Sequence, residues 1–366
     1  MRSVIAPWAW RAAWLLLPAA WLLHRFTHNE TLVFFVACAS LIPLARTMGD
    51  ATDGLAERMG PAAGSLLNAT FGNAAELILG IAALRHGHVE LVKGSITGSI
   101  LANLLLVGGG AIVTGGLRRR RLRFNRLAAS SSVATLFLAV VAMVVPTLLS
   151  IGGNPRYDPS LLSEEICVVL ILMYALSLWF SLRTHREEVG SVREELHATP
   201  AEAQAAKTAP HPNPPPVSRE LVRLVVAAAA TAIASELLVD ALNGTVSTLH
   251  LPETFVGVVI IAIVGNAAEH STALMFAHRG DMDVALGIAW ESSKQIALLV
   301  APVLVIIGIL LGTQMNLAFT RFEVVALGMS VVALALIALD GESNWLEGAF
   351  LLAVYAVIGV GFFFVG

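Results

Sequence analysis

The sequence predicts an all-α integral membrane protein of about eleven transmembrane helices, arranged as two inverted five-helix repeats plus one extra N-terminal helix. Three observations carry this. Hydrophobic residues fill 57% of the 366 positions and mean hydropathy is +0.77, while only 13% are charged, about half the ~25% usual in a soluble domain. Apolar runs of ~20 residues, the length that crosses a bilayer core, recur along the whole chain. One pentapeptide also occurs twice. A water-soluble enzyme of this size needs far more polar surface, and a nucleic-acid binder needs a broad basic patch that loop-confined arginines do not form. Cys38 and Cys167 both lie in apolar runs and read as small core residues, not as a disulfide framework.

Between charges and turn residues, the spans fall near 7–24, 31–50, 62–85, 89–116, 124–150, 160–183, 219–243, 253–278, 283–311, 321–339 and 345–365. The first follows Arg2 but lacks a small-x-small cleavage site before His24-Arg25, so it reads as a retained span and not as a signal peptide. Residues 1–30 hold this span and its loop, 31–183 the first half, and 219–366 the second. The 184–218 segment between the halves is the sizeable polar stretch. A charged helix from Arg186 leads into Pro200–Pro216, which holds six of the fifteen prolines and should be an extended linker. A weak regulatory metal site at Glu187, Glu188, Glu194 and Glu195 is the alternative to a plain tether. If spans alternate, fifteen basic residues fall on the N-terminal and linker side and five on the other. The positive-inside rule then places the N-terminus and the linker in the cytoplasm and the C-terminus outside.

Gly72-Asn73-Ala74-Ala75-Glu76 recurs as Gly265-Asn266-Ala267-Ala268-Glu269, 193 positions later. At the same offset Gly87 matches Gly280, Gly94 matches Gly287, Ser99 matches Ser292, and Leu105-Leu106-Val107 matches Leu298-Leu299-Val300, eleven identities in 36 residues without a gap. Each copy occupies the second and third spans of a five-span half. Five is odd, so the second half enters the membrane upside down, the architecture of many secondary transporters with a site at the midplane.

A carboxylate in mid-helix is costly in a bilayer, about 2.5–3.5 kcal/mol on insertion scales, and marks a functional position when it occurs twice in matched copies. Asn73 and Glu76, like Asn266 and Glu269, are three apart and share a helical face. The preceding Gly72 and Gly265 weaken the helix and free carbonyl oxygens at the same depth. Two glutamates, two amides and loosened carbonyls make an all-oxygen cage, which suits a hard cation such as calcium. Paired carboxylates in a poorly solvated site also favour protonation, and a divalent cation expels those protons. Competition between protons and cation for one site is the minimum chemistry of antiport.

These residues resemble the calcium/proton exchangers of the calcium/cation antiporter superfamily, in their bacterial form. LLNATFGNAAELILG from Leu66 and VGNAAEHSTAL from Val264 look like the two signature repeats. GSITGSILANLLLVGG from Gly94 and SSKQIALLVAP from Ser292 look like the flanking stretches, and DGESNWLEG from Asp340 is similar to the start of the last span. The sodium/calcium exchanger branch carries Gly-Thr-Ser and Pro-Glu at the repeat, which this chain lacks. The resemblance covers roughly Ile42 to the C-terminus without the linker. It implies a ten-span core plus one N-terminal span, exporting cytoplasmic calcium against external protons, with no enzymatic activity and no cofactor beyond the transported ions. Glu76 and Glu269 would be the shared cation and proton ligands, and Asn73 and Asn266 supporting oxygens.

Supporting residues are expected from the following span of each half: Ser99 with Asn103, four apart, and Ser292 with Gln295, three apart, either lining the site or gluing helices. Glu236 and Asp240 are candidates for an access path or for a structural ion pair. Asp53 and Glu57 lie at the cytoplasmic mouth of the second span. The chain departs from the family pattern at Glu291, where glycine is usual and where the repeat places it opposite Gly98; it would either pair with Lys294 or add a third carboxylate to the path. Gly54 stands where a second acid is common. His86, His88 and His278 sit near span ends. The alternatives are a broader cation/proton antiporter for manganese, sodium or potassium, a passive cation channel, and an intramembrane hydrolase using Glu269 with His270 or His278. No His-Glu-x-x-His run or serine nucleophile motif supports the last. The sequence names no protein partner and no oligomeric state.

Overall fold

The computed structural model describes residues 13–59, 64, 67, 68, 70–152, 158–180, 216–338 and 340–365. The start of the first span, most of the 184–218 linker with its four glutamates, and the side chain of Glu57 lie outside the described residues. Within them the chain is almost wholly helical. The first half holds α1 (Leu16–Phe26), α2 (Glu30–Met59), α3 (Ala74–Arg85), α4 (Val89–Gly116), α5 (Arg126–Ile151) and α6 (Pro159–Trp179). The second holds α7 (Val217–Asp240), α8 (Leu242–Leu249), α9 (Glu253–Gly265), α10 (Ala267–Arg279), α11 (Met282–Leu310), α12 (Arg321–Ala338) and α13 (Trp345–Val365).

Eight described helices are long and apolar enough to cross a membrane, or nine if α8 and α9, bent by 110°, form one span. Of the eleven expected spans, the start of the first and most of residues 60–69 in the third lie outside the described residues, and the two signature spans are also interrupted locally. At Gly72-Asn73 and again at Asn266 the backbone leaves helical geometry (Asn73 φ −104°, ψ 28°; Asn266 φ −94°, ψ 8°). Each signature span is therefore cut at its motif, and α3 and α10 are half-helices of 12 and 13 residues.

Position in the bundle follows from composition. α4 and α11 are rich in glycine, alanine and serine, which let helices approach closely, and they are 83% and 67% buried, against 22% for α6 and α13. The outer helices turn Phe137, Leu172, Val357 and Phe364 outward, as a lipid-facing surface requires. α2 and α7 pack along one another, with Met48, Ala51 and Leu55 meeting Leu224 and Ala227. Asn125 caps α5 by accepting from the N–H groups of Leu127 and Ala128, and Asp158 caps α6. A two-residue ladder, β1 (Leu122–Arg123) antiparallel to β2 (Glu342–Ser343), ties the loop after α4 to the start of α13.

The two halves run in opposite senses. α3 ends at Arg85, paired at 2.7 Å with Glu236 near the end of α7. α10 ends beside Arg118, which follows the far end of α4 and donates to His278 at 2.9 Å. α7 begins, and α2 ends, on the face where the linker joins, here called the linker face; Arg85 and Glu236 mark the opposite face. The matched Gly87 and Gly280 both close half-helices with positive φ, 82° and 99°. Gly87→Ala is expected to cost roughly 1–2 kcal/mol by left-handed strain alone, because nothing stands within 4 Å of its new methyl group. Gly280→Ala should cost more, since Arg119 must also move off the Arg279 carbonyl. Thermal denaturation of the purified protein checks both.

Candidate functional site

α3 and α10 start just after the buried Asn73 and Asn266, and each presents its glutamate in the first turn. A helix N-terminus leaves backbone N–H groups without partners and carries partial positive charge, so it favours a carboxylate there. Glu76 and Glu269 both line one cavity of about 250 Å³, together with Gly72, Gly265 and Thr272. A Cβ on Gly265 would lie 3.4 Å from Glu76 Oε1, and one on Gly72 would lie 3.5 Å from Gln295 Oε1. The glycines of the two motifs thus leave room for polar groups to converge.

Behind the glutamates the amides act as struts between the halves. Asn73 Nδ2 donates to Gln295 Oε1 at 2.6 Å, and Ser292 Oγ donates to Asn73 Oδ1 at 3.3 Å. Asn266 Nδ2 donates to Ser99 Oγ at 2.9 Å and to the Ala262 carbonyl at 3.0 Å. Asn103 Nδ2 donates to Ser292 Oγ at 3.0 Å, and its oxygen meets His270 Nε2 at 3.2 Å. Both asparagines of the motif are buried and neither lines the cavity. Asn103 is in a π-helical turn over Ala102–Val107 in α4, and a second such turn, Ile296–Val300, falls at the matched place in α11. Such insertions re-aim side chains and are frequent at functional sites. Gln295→Leu removes the acceptor of Asn73 Nδ2 and should cost about 1–3 kcal/mol, read as a lowered denaturation midpoint.

Two acceptors here have no donor. Glu269 Oε2 and Asn266 Oδ1 are buried without a hydrogen-bond partner among the described residues. Unsatisfied buried acceptors are costly, and a proton or a cation relieves them. Among the described residues no three His, Cys, Asp or Glu side chains gather at metal-binding distance, so the oxygens beside the two carboxylates include the hydroxyls of Thr272 and Ser292 and the amide of Gln295. That composition fits a hard, exchangeable cation better than a resident transition metal.

The cavity runs toward the linker face past Gly49, Asp50, Asp53 and Glu291. Glu291 Oε1 also accepts from Lys294 Nζ at 2.5 Å, within one turn of its own helix. Glu236 and Asp240 are not brought here: Glu236 pairs with Arg85 and with His86 at 2.8 Å on the opposite face, and Asp240 is 3.8 Å from His86. His88 pairs with Glu253 at 3.0 Å on that face. Above Gly54, where an acid was missing, α7 supplies one: the Glu220 carboxylate lies 3.4 Å from the position of a Gly54 Cβ and accepts from Arg223 at 2.7 Å. Sequence reasoning passed over Asp50 and Thr272 as lining residues and His270 as a partner of Asn103. Asp50 is one turn before Asp53 and Thr272 one turn after Glu269, so helical spacing alone could have found both.

The sequence profile of the sodium/calcium exchanger protein family matches residues 29–183 and 220–364. The chain belongs to that family. Within it, the chain is 43% identical over 356 residues to a "Ca(2+)/H(+) antiporter" of Aphanothece halophytica, covering 96% of this chain and 95% of that one. It is 42% identical over 338 residues to the "Ca(2+)/H(+) antiporter ChaA" of Bacillus subtilis, covering 91% and 92%. The solved structure of native YfkE superposes with a TM-score of 0.80 at 36% identity, over 96% of this chain and all of that one. These relatives of the exchanger family are transporters, not enzymes.

Proposed function

We propose that this member of the exchanger family is a secondary transporter that exchanges cytoplasmic calcium for external protons, with Glu76 and Glu269 as the ligands that both ions share. The observation that carries the reading is the meeting of the two glutamates. They come from matched, oppositely directed half-helices and face one cavity, and Glu269 Oε2 has no donor among the described residues. Calcium bound there would neutralise both carboxylates and displace their protons. Protons returning from the other face would release calcium in turn. Asn73, Asn266, Ser99, Asn103, Ser292 and Gln295 hold the half-helices in register, and Asp53 with Asp50 would draw cations into the vestibule.

The direction of transport rests on charge. The vestibule opens on the linker face, where the arginines of the 118–126 loop and Arg279 gather, and basic loops stay in the cytoplasm. The names of the relatives support calcium and protons as the cargo. In everted membrane vesicles with an acid interior, added calcium is expected to dissipate the proton gradient. Calcium flux with no proton movement would point to a channel. A response to manganese, sodium or potassium equal to that for calcium would point to broader selectivity.

A further inference from the structure

The two halves do not border the cavity at the glutamates equally. α3 brings Glu76 to it and no other polar side chain, whereas α10 brings both Glu269 and Thr272. α11 adds Ser292 and Gln295, while no described residue of its counterpart α4 lines the cavity. The repeat places Leu79 opposite Thr272, and Leu79 is packed into the hydrophobic core, away from the cavity lining. One glutamate thus has a hydroxyl one turn beyond it on its own helix, and the other has leucine.

The Thr272 hydroxyl is set as an acceptor. Oγ1 donates its proton to the Ala268 carbonyl at 2.9 Å, and no donor among the described residues reaches its oxygen. A hydroxyl whose proton is committed keeps free lone pairs, which suit a cation. Glu269 Oε2 likewise has no donor among the described residues. Side chains three apart on a helix have Cβ atoms about 5–6 Å apart. Calcium sits about 2.3–2.6 Å from each oxygen, so it bridges ligands up to ~5 Å apart. We propose that Thr272 Oγ1 is a direct ligand of the transported cation beside Glu269 and biases the site toward calcium. A neutral oxygen raises the coordination number without adding charge. That favours calcium, which takes about six to eight oxygens in flexible geometry, over manganese, which settles for about six. The inference rests on the shared-glutamate reading above and adds to it an oxygen that does not titrate.

The test titrates calcium, and in parallel manganese, into the purified full chain, with buffers of different ionisation enthalpy to count protons. Thr272→Val keeps the shape and removes the oxygen. It should weaken calcium binding about tenfold and manganese binding by less than about threefold, with the protons released per calcium unchanged. Thr272→Ser keeps the oxygen and should recover most of the affinity. Thr272→Ala carries the same expectation as Thr272→Val should the valine variant fail to fold. Calcium affinity within about twofold of the wild type in Thr272→Val overturns the proposal. So does a Thr272→Ser protein as weak as Thr272→Val, which would make packing and not the oxygen the cause. An equal loss for both cations overturns the bias toward calcium. If Glu269→Gln weakens calcium binding and Thr272→Val does not, this proposal fails alone. Unweakened binding in Glu269→Gln counts against the shared-glutamate reading instead.

Discussion

Glu76→Gln and Glu269→Gln are each expected to abolish calcium-driven proton release while leaving the protein folded. Glutamine keeps the size and the oxygen of glutamate but has neither the charge that holds calcium nor the site that takes a proton. A lost charge-assisted contact is worth about 1.5–3 kcal/mol, so calcium affinity should fall roughly ten- to a hundredfold. Exchange should stop altogether, because one remaining carboxylate cannot complete the proton half of the cycle. The pH dependence gives a second reading. Protons compete with calcium, so apparent calcium affinity in the wild type should fall as pH falls, by up to about tenfold per pH unit for each proton displaced. Each single variant should show a shallower dependence than the wild type. Radiolabelled calcium binding across a pH series measures both effects.

Gly98→Val should be the most damaging change away from the glutamates. Even its Cβ would strike the Val258 backbone, and α4 and α9 would have to part. Overpacking of this kind costs typically about 1–3 kcal/mol, and here the strain falls on the seal between those two helices. The purified variant should denature several degrees below the wild type, and vesicles that contain folded protein should leak protons without calcium. A Gly98→Val protein as stable and as tight as the wild type would show that the crossing is not the seal.

Much of this was legible in the residues. The helical class followed from composition, and the GNAAE pair at a fixed offset pointed to the inversion and to the two glutamates. Pairings within one turn, such as Glu291 with Lys294, could be read from spacing. Contacts between distant segments could not. Nothing local says that Asn73 reaches Gln295, or that Asn266 reaches Ser99, because those bonds depend on how the halves dock. Glu236 and Asp240 had the spacing of a polar path or of an ion pair, and spacing did not reveal Arg85 and His86, some 150 positions away, as their partners. Composition did not show where the signature spans break. Gly72-Asn73 and Gly265-Asn266 interrupt helices that composition alone reads as continuous, and the interruption is what turns two helix starts toward the cavity.

The central claim is that calcium and protons compete for the same two carboxylates. Isothermal titration of calcium into the purified protein, repeated in buffers of different ionisation enthalpy, counts the protons released on binding. The wild type is expected to release protons, either single glutamine variant fewer, and Glu76→Gln/Glu269→Gln none. Calcium binding that releases no protons in the wild type, or the same number in the double variant, would contradict it.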